Sequence, residues 1–471
     1  MLGQVAREAA ERFGDHIAYV APDGRTLSYA ELDRHADETA VGLAKRGVGE
    51  GDVVALVLPQ QPEYVVLYIA AARIGAITAG VNTRLSRVER EVVLQNASPK
   101  LVIDVPAAID DLRVTGAHPK ELGDDPDRPV AIVFTSGTTG APKGAVFSNR
   151  QLSFITKVDT GGNWGGGGAT FAATSFAHLG PMTKLPGSLM RGGTTHVLSR
   201  WKASDALRMI TDHRMTSIGG IPTQFALMLQ EPEFESYDLA SVRAIVMGGG
   251  PATPTLVREA RERFGAPVAI RYSCTEAGIG IGTAFDAPHE DAEVSVGRPH
   301  AGVDLDLRNV TDGVGEVCLR SAAVMDGYWH APELTADALT DDGFVRTGDL
   351  GWIDEAGRLR LAGRAKEMYV RGGYNVYPME VEAVLATHPA IADVAVAPRP
   401  DDVMGEIGVA VVVLRDGSEP PSPAELRSFA SDHLAAYKVP EAVVVTEALP
   451  LTAMEKLDRR ALAALVRHGD G

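Results

Sequence analysis

The sequence predicts an α/β protein with two unequal domains: a large N-terminal domain of layered sheets and helices, residues 1–363, and a small, mobile α+β domain, residues 364–471. Three observations predict it. Short apolar runs alternate with helical patterns through the first part of the chain, as in a mostly parallel sheet covered by helices. Composition changes near residue 363, and the strand–helix pattern after it spans roughly 100 residues, one ordinary domain. At roughly 150 residues per domain, a chain of 471 residues divides into two to four domains.

The elements follow in order. Residues 53–58 read as a strand, then a helix starts near Glu63 and a turn falls at Gly80. The most apolar stretch, 64–79, reads as one buried amphipathic helix. Tyr68 and Arg73 interrupt it, so it is too short and too broken to cross a bilayer. Strands are expected at 100–104 and 131–134, separated by an acidic, proline-containing surface loop at 121–130. Residues 161–168 form a glycine loop. Residues 351–364 read as a hairpin turning at 355–357, and the domain boundary is set between 363 and 366. Beyond it, 380–387 and 424–435 read as helices, 394–397 and 409–414 as strands.

Composition narrows the function. Lys and Arg total 45 against 62 Asp and Glu, a net charge of −17, which argues against a nucleic-acid binder that works by phosphate neutralisation. An anionic small molecule would need a local positive site. The two cysteines, Cys274 and Cys318, form no CxxC, which excludes a zinc cluster or a disulfide framework. The first residues lack the apolar core of a signal peptide, and no transmembrane segment is evident, so the expected location is cytoplasmic.

The strongest local signal is residues 135–144, TSGTTGAPKG, directly after an apolar strand. Glycines let backbone N–H groups approach phosphate oxygens, hydroxyls donate, and Lys143 supplies charge. It is not a Walker loop, because Pro142 stands where that pattern needs glycine.

Further along lie Tyr272-Ser273-Cys274-Thr275-Glu276, Thr347-Gly348-Asp349, Gly363-Arg364-Ala365-Lys366 and the C-terminal string 450–456 ending in Lys456. With the loop these make five motifs in order, and the chain resembles the ANL superfamily of adenylate-forming enzymes, most of all bacterial AMP-forming acyl-CoA synthetases. The resemblance implies that a carboxylate reacts with ATP to give an acyl-adenylate and pyrophosphate, and that coenzyme A then displaces AMP. It implies roles. Thr135, Ser136, Gly137, Thr138, Thr139 and Lys143 would hold the β- and γ-phosphates, and Thr275 the α-phosphate. Glu276 would hold Mg²⁺, a hard cation that takes oxygen ligands. Lys456 would bridge carboxylate and α-phosphate. Asp349 would accept both ribose hydroxyls, reinforced by Arg364; Tyr272 and the strip Gly248-Gly249-Gly250-Pro251 would sandwich adenine. Lys366 would be the hinge that swaps the two half-reactions, and Gly372, Gly373 and Asn375 would line the coenzyme A tunnel.

His178 would gate the carboxylate, and Gly219, Gly220, Met247 and Gly248 would wall the acyl pocket. A leucine at Gly249 would then favour shorter acids. The glycine-dense wall implies an open pocket for a medium or long acyl chain or a bulky ring acid. No Asp is placed to hold an amino group. The chain departs from the family pattern at Arg271, Ser273 and Glu455, and Cys274 reads as a packed thiol. The alternative acceptor is an acyl-carrier protein or another nucleophile.

Overall fold

The computed structural model describes residues 1–135, 142–430, 433–452 and 456–468. Among them the strands form five sheets, four within residues 17–364 and one within 369–445. The architecture is mixed α/β, as expected.

The six-stranded sheet runs Gly327–Tyr328, Gly144–Ser148, Pro129–Phe134, Ile77–Gly80, Val53–Leu56 and Leu101–Ile103. Its middle is parallel, and its strands are buried on both faces, so they read as unbroken apolar runs. Leu56 and Val133 face a core with Tyr64 and Tyr68, while Ala55 and Ile132 face a second core closed by Val93 of helix Arg87–Ala97. The expected single helix over 64–79 is two elements. Helix Pro62–Arg73 ends before strand Ile77–Gly80, which Gly75 separates at φ +72°. Hydrophobicity alone does not distinguish a buried helix from a buried parallel strand.

Pro129–Phe134 and Gly144–Ser148 form an antiparallel hairpin, and the Thr135 amide donates to the Lys143 carbonyl at 2.9 Å. The phosphate-loop motif is therefore the connection of this hairpin. Ser136, Gly137, Thr138 and Thr139 lie outside the described residues.

A five-stranded sheet, Ser217–Gly220, Ala244–Gly248, Val268–Tyr272, Ile281–Gly282 and Arg298–Pro299, stands beside a four-stranded antiparallel one. The latter ends on the hairpin Val345–Ile353 and Leu359–Arg364. Past Arg364, the chain builds a separate sheet around the long hairpin Ile391–Asp401 and Gly405–Leu414. One face packs on helices Pro378–Leu385 and Pro423–Ala430 through Val396, Val412 and Leu385. The other packs on helix Arg459–His468 through Ala395, Val411 and Leu462. Among the described residues no helix is long and apolar enough to cross a membrane.

Arg73, which breaks the apolar pattern in the sequence, is an anchor. Its guanidinium donates to Asp37 at 2.7 Å and pairs with Asp33, and Asp37 also accepts from Arg7 at 2.9 Å. Only 5% and 3% of the Arg73 and Asp37 side chains are exposed, so removing Asp37 leaves a buried guanidinium with Asp33 as its one remaining carboxylate among the described residues. Asp37→Ala should destabilise the large unit by about 3 kcal/mol. The readout is an earlier midpoint in urea; an unmoved midpoint would mean the pair contributes nothing.

Candidate active site

One cleft of about 1880 Å³ collects the residues singled out in the sequence. Small-molecule sites commonly occupy roughly 300–1,000 Å³, so this one has room for two reactants. Its lining includes residues at the C-terminal ends of strands Pro129–Phe134, Ser217–Gly220, Ala244–Gly248 and Val268–Tyr272. Lys143 and Thr135 enter from the phosphate-loop hairpin, Thr275 and Glu276 from a short 3₁₀ turn after strand Val268–Tyr272. Lys456 enters from the C-terminal segment.

Glu276 is held by a residue the sequence reading missed. The Tyr328 hydroxyl donates to Glu276 Oε1 at 2.5 Å, and Lys143 Nζ lies 5.0 Å from the centre of the Tyr328 ring. Tyr328 thus lies between the lysine and the carboxylate. No local signal marked it: strand Gly327–Tyr328 reaches the site only by pairing with Ala145 and Val146. Burial and Glu276 push the tyrosine's pKa up, so it remains a donor.

Asp349 is buried and both its oxygens are engaged. Tyr272 Oη donates to Oδ2 at 2.7 Å, and Arg364 Nε lies 3.0 Å from Oδ1. Burial raises the carboxyl pKa, while Arg364 and the Tyr272 bond oppose the shift. Asp349, expected to accept both ribose hydroxyls, has one contact on each oxygen, from Tyr272 and Arg364, and Thr347, Gly348 and Arg364 line the cleft around it. Tyr272 lines the cleft as well, with its hydroxyl tied down.

Lys456 is fixed at its backbone, where its carbonyl accepts from the Thr452 amide at 2.7 Å, and helix Arg459–His468 follows at once. Its side chain lines the cleft. Desolvation by the surrounding walls lowers its pKa, Arg364 lowers it further, and Asp349 opposes both. His178 caps helix Leu179–Arg191, and its Nε2 accepts from the Asn82 amide at 3.1 Å. Burial, with Lys456 and Arg84 adding, lowers its pKa to about 4, so the ring is neutral at pH 7.

The acyl wall needs two corrections. Along strand Ala244–Gly248 side chains alternate, so Met247 points into the core with Ile245, and Val246 and Gly248 face the cleft. Gly219, Gly220 and Gly249 also line it, whereas Gly250 packs against Pro222 and, like Pro251, lies outside the lining. Gly249 has φ +79°, so a leucine there would strain the backbone whatever the space. Gly219 is the better-suited position, since an added Cβ would meet nothing closer than 3.8 Å.

Gly372 and Gly373 do not line the cleft. At φ +55° and +88° they form the tight turn between Tyr369–Arg371 and Tyr374–Val376. Asn375 follows on the same hairpin, where neighbouring Tyr374 stacks on Tyr437 at 4.6 Å. Lys366 lies at the cleft edge, in the turn where the Arg364 carbonyl accepts from Glu367 and Met368. The Cys274 thiol is pushed well up by burial and Glu276, which makes it an inert packing group.

The profile of the AMP-binding enzyme family matches residues 6–329, and that of the AMP-binding enzyme C-terminal domain matches residues 380–456. The chain is 33% identical to a feruloyl-CoA synthase of Amycolatopsis, over 95% of each protein. It is 31% identical to a fatty acid–[acyl-carrier-protein] ligase of Streptomyces coeruleorubidus, over 93% of this chain and 92% of that one. An amide bond synthetase structure from Marinactinospora thermotolerans superposes with a TM-score of 0.87 at 28% identity, covering 99% of this chain and all of the other. The chain belongs to the AMP-binding enzyme family, the adenylate-forming ligases.

The histidine has a measurable consequence. Its folded pKa lies below the ordinary 6.5, so the neutral ring contributes stability above pH 6.5 that is lost as pH falls toward 4. His178→Gln should flatten the fall in melting temperature across that window. Parallel melting curves for variant and wild type would contradict the shift.

Proposed function

We propose that the protein is an AMP-forming acyl-CoA synthetase. It joins a carboxylic acid to ATP, releasing pyrophosphate, and then transfers the acyl group from AMP to the thiol of coenzyme A. The observation that carries this reading is the meeting of Lys456, Arg364 and Asp349 with Lys143 and Glu276 around one cleft. Both reactants of the first step are anions, and the charge that grows on the α-phosphate needs fixed donors and cations. Lys456 serves the carboxylate and the α-phosphate, while Lys143 and Thr135, with the loop 136–139, serve the outer phosphates. Thr275 lies beside them.

Glu276 suits Mg²⁺. Among the described residues no three-residue cluster of metal-ligating side chains exists. Magnesium is commonly held by one or two carboxylates with substrate phosphates completing its shell, which one glutamate in a phosphate-binding cleft fits. When bound, the ion would neutralise phosphate oxygens. The residues themselves orient it, because Tyr328 fixes the carboxylate. The ribose would take up the remaining lone pairs of Asp349, with Tyr272 and Gly249 flanking the adenine.

We divide the chain at 363/364 and assign Lys366 as the hinge. In the present arrangement Lys456 is inside the cleft and the turn at Gly372 and Gly373 is outside it, as adenylation requires. Rotation about Lys366 would withdraw Lys456 and bring that turn and Asn375 to the thiol path. A carrier-protein thiol is the second reading, favoured by the similarity to a carrier-protein ligase.

The test is a panel of acids with Mg²⁺, ATP and either coenzyme A or an acyl-carrier protein, following AMP and pyrophosphate. An acid-dependent release of both, completed by coenzyme A, is the expected result; release of ADP would refute the reading. Lys456→Ala should slow adenylation by about 10²–10³, the scale for one lost transition-state donor, and spare thioester formation from supplied acyl-adenylate. Equal loss in both half-reactions would remove Lys456 from that role.

A further inference from the structure

The acyl end of the cleft carries charge that adenylation does not use. Strand Val268–Tyr272 turns Arg271 into the cleft, where Nη1 donates to the carbonyls of Thr283 at 2.6 Å and Ile270 at 3.0 Å. Among the described residues this guanidinium has no carboxylate within 4.0 Å. His300 converges on the same spot: a Cβ on Gly282 would lie 2.7 Å from Arg271 Nη1 and 3.0 Å from His300 Nε2. The glycine leaves the space that both nitrogens occupy.

Across the chamber, helix Leu179–Arg191 contributes Lys184 and Arg191, and helix Asn149–Thr160 contributes Asp159. Asp159 is already paired with Arg191 at 2.7 Å. Lys184 and Arg271 feel that carboxylate only through space, and both act on His300. Three cations, Lys184, Arg191 and Arg271, thus share one carboxylate, an excess of two positive charges. In a chain of net charge −17 this local sign is against the average. Burial lowers the pKa of Arg271 and of His300, the direction for cationic groups short of counter-charge. Desolvated charge without a partner is costly, and an anionic ligand removes that cost.

We propose that the substrate is a dicarboxylic acid, its reacting carboxylate toward Lys456 and its distal carboxylate held by Arg271 and Lys184, with His300 alongside. This rests on the reading of the cleft as acid-adenylating. Arg271 has five N–H donors, only one nitrogen of which is committed to backbone, so guanidinium donors remain for a carboxylate. Arg271 already lies over the Phe285 ring at 5.7 Å and bonds two carbonyls, but a plain fatty acid would place methyl groups against Arg271 and Lys184 and give neither a carboxylate.

Steady-state pyrophosphate release should be measured with α,ω-dicarboxylates from glutarate to sebacate, and with the monocarboxylates and ω-monoamides of equal length. The wild type should favour one or more diacids over the matched monoacid by about 10-fold or more in kcat/KM, mainly through KM. Arg271→Met should lower that ratio about 10–100-fold, a charge-assisted contact being removed. Lys184→Met is the second variant, read if the first melts early, and it should move the ratio the same way. A wild-type enzyme that adenylates monoacids as well as or better than diacids overturns this inference and leaves the adenylation reading standing. So does a ratio that neither variant changes. If no acid in any class drives pyrophosphate release, the adenylation reading itself fails.

Discussion

The carboxylate of Asp349 is the point on which the site turns. It is buried, it accepts from Tyr272, and it pairs with Arg364. Those three residues come from two different sheets, and Arg364 is the last residue of its strand before the chain leaves for the small unit. Burial raises the pKa of this carboxyl, and the Arg364 guanidinium and the Tyr272 phenol oppose that shift. Breaking the knot would therefore free the cleft wall at Tyr272 and the start of the segment after Arg364 together. That segment in turn determines where Lys456 arrives.

Around that knot the protein solves a problem of like charges. Two anions must meet, and the chain as a whole is acidic, so attraction must be local. Lys143, Lys456 and Arg364 bring positive charge to the cleft from three separate segments. They are close enough that Arg364 lowers the Lys456 pKa. The Asp349 carboxylate sits among the cations and offsets part of their repulsion. His178, neutral by burial, adds a polar surface near the lysine without adding charge.

Much of this was legible in the sequence, for physical reasons. Parallel strands buried on both faces appear as apolar runs, and turns that bind phosphate need glycine and hydroxyls, so the loop stood out locally, while Thr275, Glu276 and Asp349 were marked only by the resemblance of their motifs to the family. What stayed hidden depends on tertiary geometry. Ile77–Gly80 looked like helix because burial, not periodicity, dictates its composition. Met247 and Val246 differ only in which way the pleat turns them. Tyr328 reaches Glu276 through a two-residue strand, and Arg271 showed as a departure from the family pattern without revealing that it faces the acyl chamber. Gly372 and Gly373, expected along the thiol path, form a tight turn at a hairpin tip outside the cleft, a placement that spacing alone does not give.

The central claim is that one cleft holds the nucleotide and the acid joined as a single anhydride. Calorimetry with a non-hydrolysable acyl-sulfamoyl adenosine, compared with AMP and with the free acid, tests it most directly. Tethering two fragments that occupy adjacent subsites removes most of the cost of fixing the second, so the joined compound should bind at least about 10²-fold more tightly than AMP. Binding no tighter than AMP would place the acid elsewhere and contradict the account.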